Sequence, residues 1–140
     1  MRLLSHLREL SLAMEDWERY RRIPREKIEK DRDSRNMVFH AMLVAIQSAI
    51  DIATDIIAEK GLRRPETYRE TFEILAEDGI IDALLAKDLS DLAGFRNVIV
   101  HIYWDLDLAQ VYEILQSDYD VLMDFFEEMK RYAQNNEHIQ

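Results

Sequence analysis

The run "NMVFHAMLVAIQSAIDIATDIIAEKG", residues 36–61, decides the fold. Its apolar residues recur at intervals of three and four rather than two, the period of an α-helix. They also occupy most of the helix circumference, which predicts a long central helix buried on nearly every side and stopped by Gly61. Asp33 or Ser34 is placed to cap its start by accepting hydrogen bonds from free amide N–H groups.

The flanking segments supply the helices that would cover it. Upstream, Leu3, Leu4, Leu7, Leu10, Met14 and Trp17 predict an amphipathic helix over about 2–20, broken at Ile23-Pro24 because proline disfavours helix at the residue before it. A short basic helix is expected over 25–31. Downstream, Pro65 opens a helix over 65–77 with Tyr68, Phe72 and Leu75 inward, and Gly79 ends it. A short helical segment at 80–86 leads to a helix over about 88–103. Asp107 with Gln110 three residues on forms a capping box for a last amphipathic helix reaching about 133, which buries Val111, Ile114, Leu115, Val121, Leu122 and Phe125. No segment shows the alternation of a strand. Long helices on short links make antiparallel neighbours, so the expected fold is all-α: an antiparallel four- to five-helix bundle, one domain over 1–140.

Composition narrows the function. Apolar residues make up 48% of the 140 and charged residues 33%, with three glycines, two prolines and no cysteine. That balance excludes a disordered chain and any disulfide or thiolate chemistry, and a reducing cytoplasm is the expected compartment. No uninterrupted apolar run approaches the ~20 residues of a membrane span, so no membrane partner is expected. The net charge of −10 argues against electrostatic coating of nucleic acid, and no DNA partner is expected. The charge is uneven: residues 1–35 carry ten Lys/Arg against eight acids, and residues 36–140 carry eight against twenty.

One stretch does not fit a plain bundle. In "FRNVIVHIYW", 95–104, a helical projection puts Phe95, Val98, Ile99 and Ile102 on a core-facing stripe. The opposite face collects Arg96, Asn97, Val100, His101 and Trp104, with Tyr103 returning beside Arg96. A solvated face would carry Lys, Glu and Gln; this one carries a guanidinium, an imidazole and exposed apolar surface, the make-up of an interface or cleft. Arg96 and His101 lie about 140° apart at ~100° per residue, so one helix does not aim both at one small group. A two-fold mate presenting the same face would bring two sets together, and a homodimer is expected. The same Arg-Asn-x3-His spacing occurs in "RNMVFH", 35–40, but Arg35 and Asn36 fall at a helix start. There His40 shares a polar stripe with Gln47, Asp51 and Thr54, which reads as hydrogen bonding across the bundle or as a wall of the cleft. A di-iron bundle is excluded, because no histidine has an acid three residues earlier; neither metal nor cofactor is expected.

"GFRNVIVHIYWDLD", 94–107, resembles the signature of the HepT-like branch of the HEPN superfamily: Arg-x4-His-x-Tyr after Gly-Phe, here Gly94, Phe95, Arg96, His101 and Tyr103. "AIQSAIDIATDIIAEKGLRRPETYRETFEILAEDGII", 45–81, is similar to that branch's central helix, its Pro-Glu-x-Tyr turn and the following helix. The resemblance implies a helical dimer with the Arg/His motifs facing across the two-fold, acting as a metal-independent endoribonuclease toxin. It also implies a partner, a small nucleotidyltransferase antitoxin of the MntA type that adenylylates the motif tyrosine. Arg96 and His101 would be catalytic and Asn97 supporting; Tyr103 would be the modified residue, and Tyr103 or Trp104 could stack an RNA base. The alternative within the family is a non-catalytic subunit that binds nucleotide or RNA and docks a nucleotidyltransferase.

Overall fold

The computed structural model describes residues 2–101 and 105–137, with the backbone alone for residues 2, 101 and 137. The described residues form seven helices and no strand: α1 (Arg2–Tyr20), α2 (Arg25–Lys30), α3 (Arg32–Lys60), α4 (Tyr68–Glu77), α5 (Ala83–His101), α6 (Leu108–Ser117) and α7 (Tyr119–Glu137). The all-α bundle is as expected, with four long helices and three short ones.

α3 is the axis of the molecule. Its near-continuous apolar surface is taken up by α1, α2, α4, α5 and α7, all of which pack on it. Val38, Met42, Ala45, Ile46, Ala49, Ile50, Ile52, Ala53 and Ile56 are each no more than 1% exposed. Each buried Ile or Met side chain contributes about 1.5–3 kcal/mol. By length and hydropathy α3 resembles a membrane span, but most of that apolar window is buried inside the bundle. Its C-terminus closes on Gly61, whose φ of 64° is left-handed; Gly61 N–H and Leu62 N–H bond back to Ala58 and Ile57 carbonyls at 3.3 and 3.0 Å.

α1 lays Leu3, Leu7, Leu10, Met14 and Trp17 along α3. Across that seam Oδ2 of Asp55, an oxygen closed off from water, has no donor of good geometry and faces Nε2 of His6 at 2.8 Å. Trp17, fully buried, donates its indole N–H to the Leu115 carbonyl at 2.8 Å. That carbonyl is the acceptor that the Tyr119 N–H would use in an unbroken helix. The expected single last helix is accordingly two, α6 and α7, parting at Asp118. Nearby, the Gln116 amide donates to the Arg21 carbonyl at 2.7 Å, fixing the α1–α2 corner to the same break. Asp118 is half-buried there, and burial together with the Asp88, Glu113 and Asp91 carboxylates pushes its carboxyl above the usual range.

Other boundaries differ for identifiable reasons. α3 begins at Arg32 with Asp31 before it, because Ser34 turns back and donates its hydroxyl to Asp31 at 2.6 Å; Asp33 and Ser34 lie inside the helix rather than capping it. α4 starts at Tyr68, not Pro65: Oγ1 of Thr67 accepts from the Glu70 N–H at 3.1 Å and is the true cap. The segments expected at 80–86 and 88–103 are one helix from Ala83, with the Asp82 carboxylate accepting from the Leu85 N–H at 2.8 Å. Asp107 does cap α6, accepting from the N–H groups of Ala109 and Gln110 at 3.0 and 3.4 Å. Phe72 and Phe125 meet edge to face at 5.6 Å, locking α4 to α7.

Candidate functional site

The site is assembled where α5 crosses α3 and the first turn of α4. The absence of a side chain at Gly94 leaves room for the Arg69 guanidinium of α4 to lie over α5. A Cβ there would lie 2.6 Å from Nη2 of Arg69, whose guanidinium reaches over the glycine toward Asp91. Oγ of Ser90 donates to the Arg69 carbonyl at 2.8 Å, adding a second clamp one turn away. The Gly-Phe pair of the motif thus has a packing role: Gly94 admits Arg69, and Phe95 is buried in the core.

Arg96 follows immediately. Its Nε donates to Oε1 of Gln47 at 2.9 Å, and Nη1 donates to Oδ1 of Asn97 at 3.3 Å. Its guanidinium carbon stands 4.8 Å from the centroid of the Tyr68 ring, within cation–π range. Gln47 is itself oriented, because its amide N–H donates to Oδ1 of Asp51 at 2.9 Å and so turns Oε1 toward Arg96. This differs from most arginines on this acidic chain. Arg63, for example, is held by the carboxylates of Glu70 and Glu77, which push its pKa up while it holds theirs below the usual carboxylate range. Among the described residues no carboxylate lies in ion-pair range of Arg96, and Nη2 meets no acceptor. Two amide oxygens and a ring fix its position without cancelling its charge, which leaves it able to grip an anion.

The other residues expected at the site fall out differently. Asn97 is exposed beside Arg96, and Gln47 and Asp51 form the wall behind it. His40 is exposed on α3, two turns before Gln47, with no contact to Arg96. The first copy of the motif is structural at its arginine: Nη1 of Arg35 donates to the Glu29 and Ile28 carbonyls at 2.9 and 3.4 Å, closing the end of α2. The side chain of His101, and all of Ile102, Tyr103 and Trp104, lie outside the described residues. Val98 corrects the expected core stripe. It is 37% exposed, as is Val100 at 42%, because α5 turns Phe95 and Ile99 inward instead. Tyr68 is a second correction: expected inward, it is 37% exposed at the first turn of α4, where it meets Arg96 rather than the core. Only its position immediately after a capping threonine could have shown that it sits at the rim.

Beside this cluster a groove of about 870 Å³ runs between the last turns of α3 and the 62–68 segment, lined by Ile57, Leu62, Arg64, Thr67, Tyr68 and Asn97 among others. Among the described residues no three His, Asp or Glu side chains converge in a way that could hold a metal ion.

The sequence model of the family described as Ribonuclease HepT-like matches residues 10–129. The chain belongs to that HepT-like family. It is 31% identical to the "mRNA nuclease HepT" of Shewanella oneidensis over 84 residues, a match spanning 60% of this chain and 63% of that one. A relative from Archaeoglobus fulgidus, provisionally named an RNase, is 33% identical over 93 residues, covering 66% of this chain and 70% of that one. Among solved structures, a tri-AMPylated Shewanella oneidensis HEPN toxin in complex with its MNT antitoxin superposes with a TM-score of 0.83 at 22% identity, over 92% of this chain and 96% of that chain. That likeness shows the same helical fold.

Proposed function

We propose that this HepT-like chain is a metal-independent endoribonuclease toxin of the cytoplasm. Its site is composite: Arg96 and His101 of one protomer face those of a second across a two-fold axis. A small MntA-type nucleotidyltransferase neutralises it by adenylylating Tyr103. The observation that carries the reading is the charge of Arg96, held rigidly by Gln47, Asn97 and Tyr68 with no described carboxylate to cancel it. Exposed Val100, one turn on from Arg96 on the same face of the helix, supplies apolar surface for the second protomer.

The chemistry follows from these groups. The 2′-hydroxyl of RNA attacks the adjacent phosphorus, forming a 2′,3′-cyclic phosphate as the bond from phosphorus to the 5′-oxygen breaks. One His101 imidazole takes the proton of the 2′-hydroxyl and the partner imidazole gives one to the leaving 5′-oxygen; imidazole is the side chain that serves as base or acid near neutrality. Arg96 donates to the phosphate oxygens as negative charge accumulates on them. Asn97, whose oxygen is turned to Arg96, would offer its amide N–H groups to a ribose hydroxyl or an imidazole. The sequence spacing expects Tyr103 on the side of Arg96, and an adenylyl phosphate there would compete with the substrate phosphate for the same guanidinium.

The test is cleavage of total RNA by purified protein in EDTA. Cleavage should persist in chelator, and His101→Ala should abolish it while the dimer seen by light scattering stays intact. Activity that survives His101→Ala, or that EDTA removes, refutes the assignment; a dimeric wild type with no RNA cleavage at all would leave only a binding subunit.

A further inference from the structure

We propose that the groove between the end of α3 and the 62–68 segment binds one unstacked nucleotide of the RNA strand, beside the phosphate that Arg96 grips. The inference rests on the ribonuclease reading and adds a specificity subsite to it.

Three observations converge on this occupant. First, the groove has the size of a ligand site: about 870 Å³, within the ~300–1,000 Å³ range of pockets that hold small molecules. Second, it is joined to the phosphate site by shared residues. Tyr68 and Asn97 line the groove and also contact Arg96, so a strand held at Arg96 enters the groove without a gap. Third, its charges and surfaces are sorted as a nucleotide requires. The floor is apolar, with Ala58 and Leu62, and an aromatic ring stands at the end next to Arg96. Arg64 lines the same groove, is exposed and has no carboxylate partner among the described residues, whereas its neighbour Arg63 is consumed by Glu70 and Glu77. Two uncancelled guanidiniums, Arg96 and Arg64, thus flank one apolar slot.

The orientation of the nucleotide follows from the same sorting. The floor lies at the C-terminal end of α3, the negative pole of that helix, which repels phosphate and favours N–H donors. The exocyclic amine of a base is such a donor, and Glu66 adds a carboxylate acceptor at the groove. The base therefore lies inward and the backbone runs outside, past Arg96 and Arg64. Single-stranded RNA fits because its bases can leave the stack at little cost and pack on aromatic faces; a paired base cannot reach the slot.

The groove can be filled from Ala58, an exposed position in the last turn of α3, without touching the core. His101→Ala protein, which does not consume its ligand, is titrated into a short fluorescein-labelled single-stranded RNA and followed by anisotropy. Adding Ala58→Trp should weaken binding about tenfold, inside the roughly 5- to 150-fold worth of one stacked base. Arg64→Gln, in the same background, should weaken it about threefold and flatten its salt dependence by about one phosphate contact. Affinities for both variants within about twofold of the parent, with circular dichroism unchanged, would overturn the subsite, as would absence of RNA binding by the parent. The two readings fail separately: wild-type protein that does not cleave RNA, although Ala58→Trp still impairs binding, removes the nuclease and keeps the subsite. Cleavage with Ala58→Trp binding unchanged does the reverse.

Discussion

Arg96→Lys is expected to lower the rate of RNA cleavage by roughly 10²–10³-fold, the usual cost of losing one well-placed donor to developing charge. The substitution keeps the charge, so the size of the loss reports geometry. A guanidinium can donate Nε to Gln47, Nη1 to Asn97 and still present Nη2 to a phosphate, all in one plane. An ammonium has one nitrogen for all three tasks and lacks the flat face that packs on Tyr68. The loss should fall on kcat, because the interaction strengthens as charge builds on the phosphate. Single-turnover cleavage at saturating enzyme measures it, and a loss below about threefold would mean that Arg96 serves only as a point charge.

Trp17→Ala is expected to destabilise the fold by about 3–5 kcal/mol, a drop of roughly 10–20 °C in the thermal midpoint. The ring is fully buried where α1 meets the break between α6 and α7, and its N–H is the donor to the Leu115 carbonyl at 2.8 Å. Trp17→Phe separates the two contributions. It keeps most of the packing and removes the N–H, which should cost about 1–3 kcal/mol for an acceptor left without its partner. Part of that cost would be recovered if α6 and α7 then fused, because the Tyr119 N–H could take the vacated carbonyl. Differential scanning calorimetry of both variants gives the two numbers; a Trp17→Phe protein as stable as the parent would show that the hydrogen bond contributes nothing beyond burial.

The fold was legible where a helix pattern is local. α1 has the extent its apolar spacing predicted, with Leu3, Leu7, Leu10, Met14 and Trp17 buried and Leu4 exposed, and α3 was marked by apolar character all round with a glycine stop. The break at Asp118 was not legible, because its cause is the indole of Trp17, 98 positions away in sequence from Leu115. Caps shifted for smaller reasons of the same kind. Ser34 bonds Asp31 rather than the backbone, and Thr67 outcompetes Pro65 as the start of α4. At the site, Arg96 was singled out by the sequence, and Gln47 and Asp51 by their stripe on α3. Their connection to one another was not, because it depends on how α5 crosses α3. Tyr68 was assigned to the core on periodicity alone; at the first turn of a short helix the ring overhangs the rim and meets a cation instead.

The most direct measurement is the end chemistry of RNA fragments produced by the purified protein in EDTA. Attack by the 2′-hydroxyl within a site built on Arg96 and His101 requires 5′-hydroxyl ends and 2′,3′-cyclic phosphates, read by whether polynucleotide kinase labels the fragments without prior phosphatase. Fragments bearing 5′-phosphates, or RNA left whole until a divalent metal is added, would contradict the account.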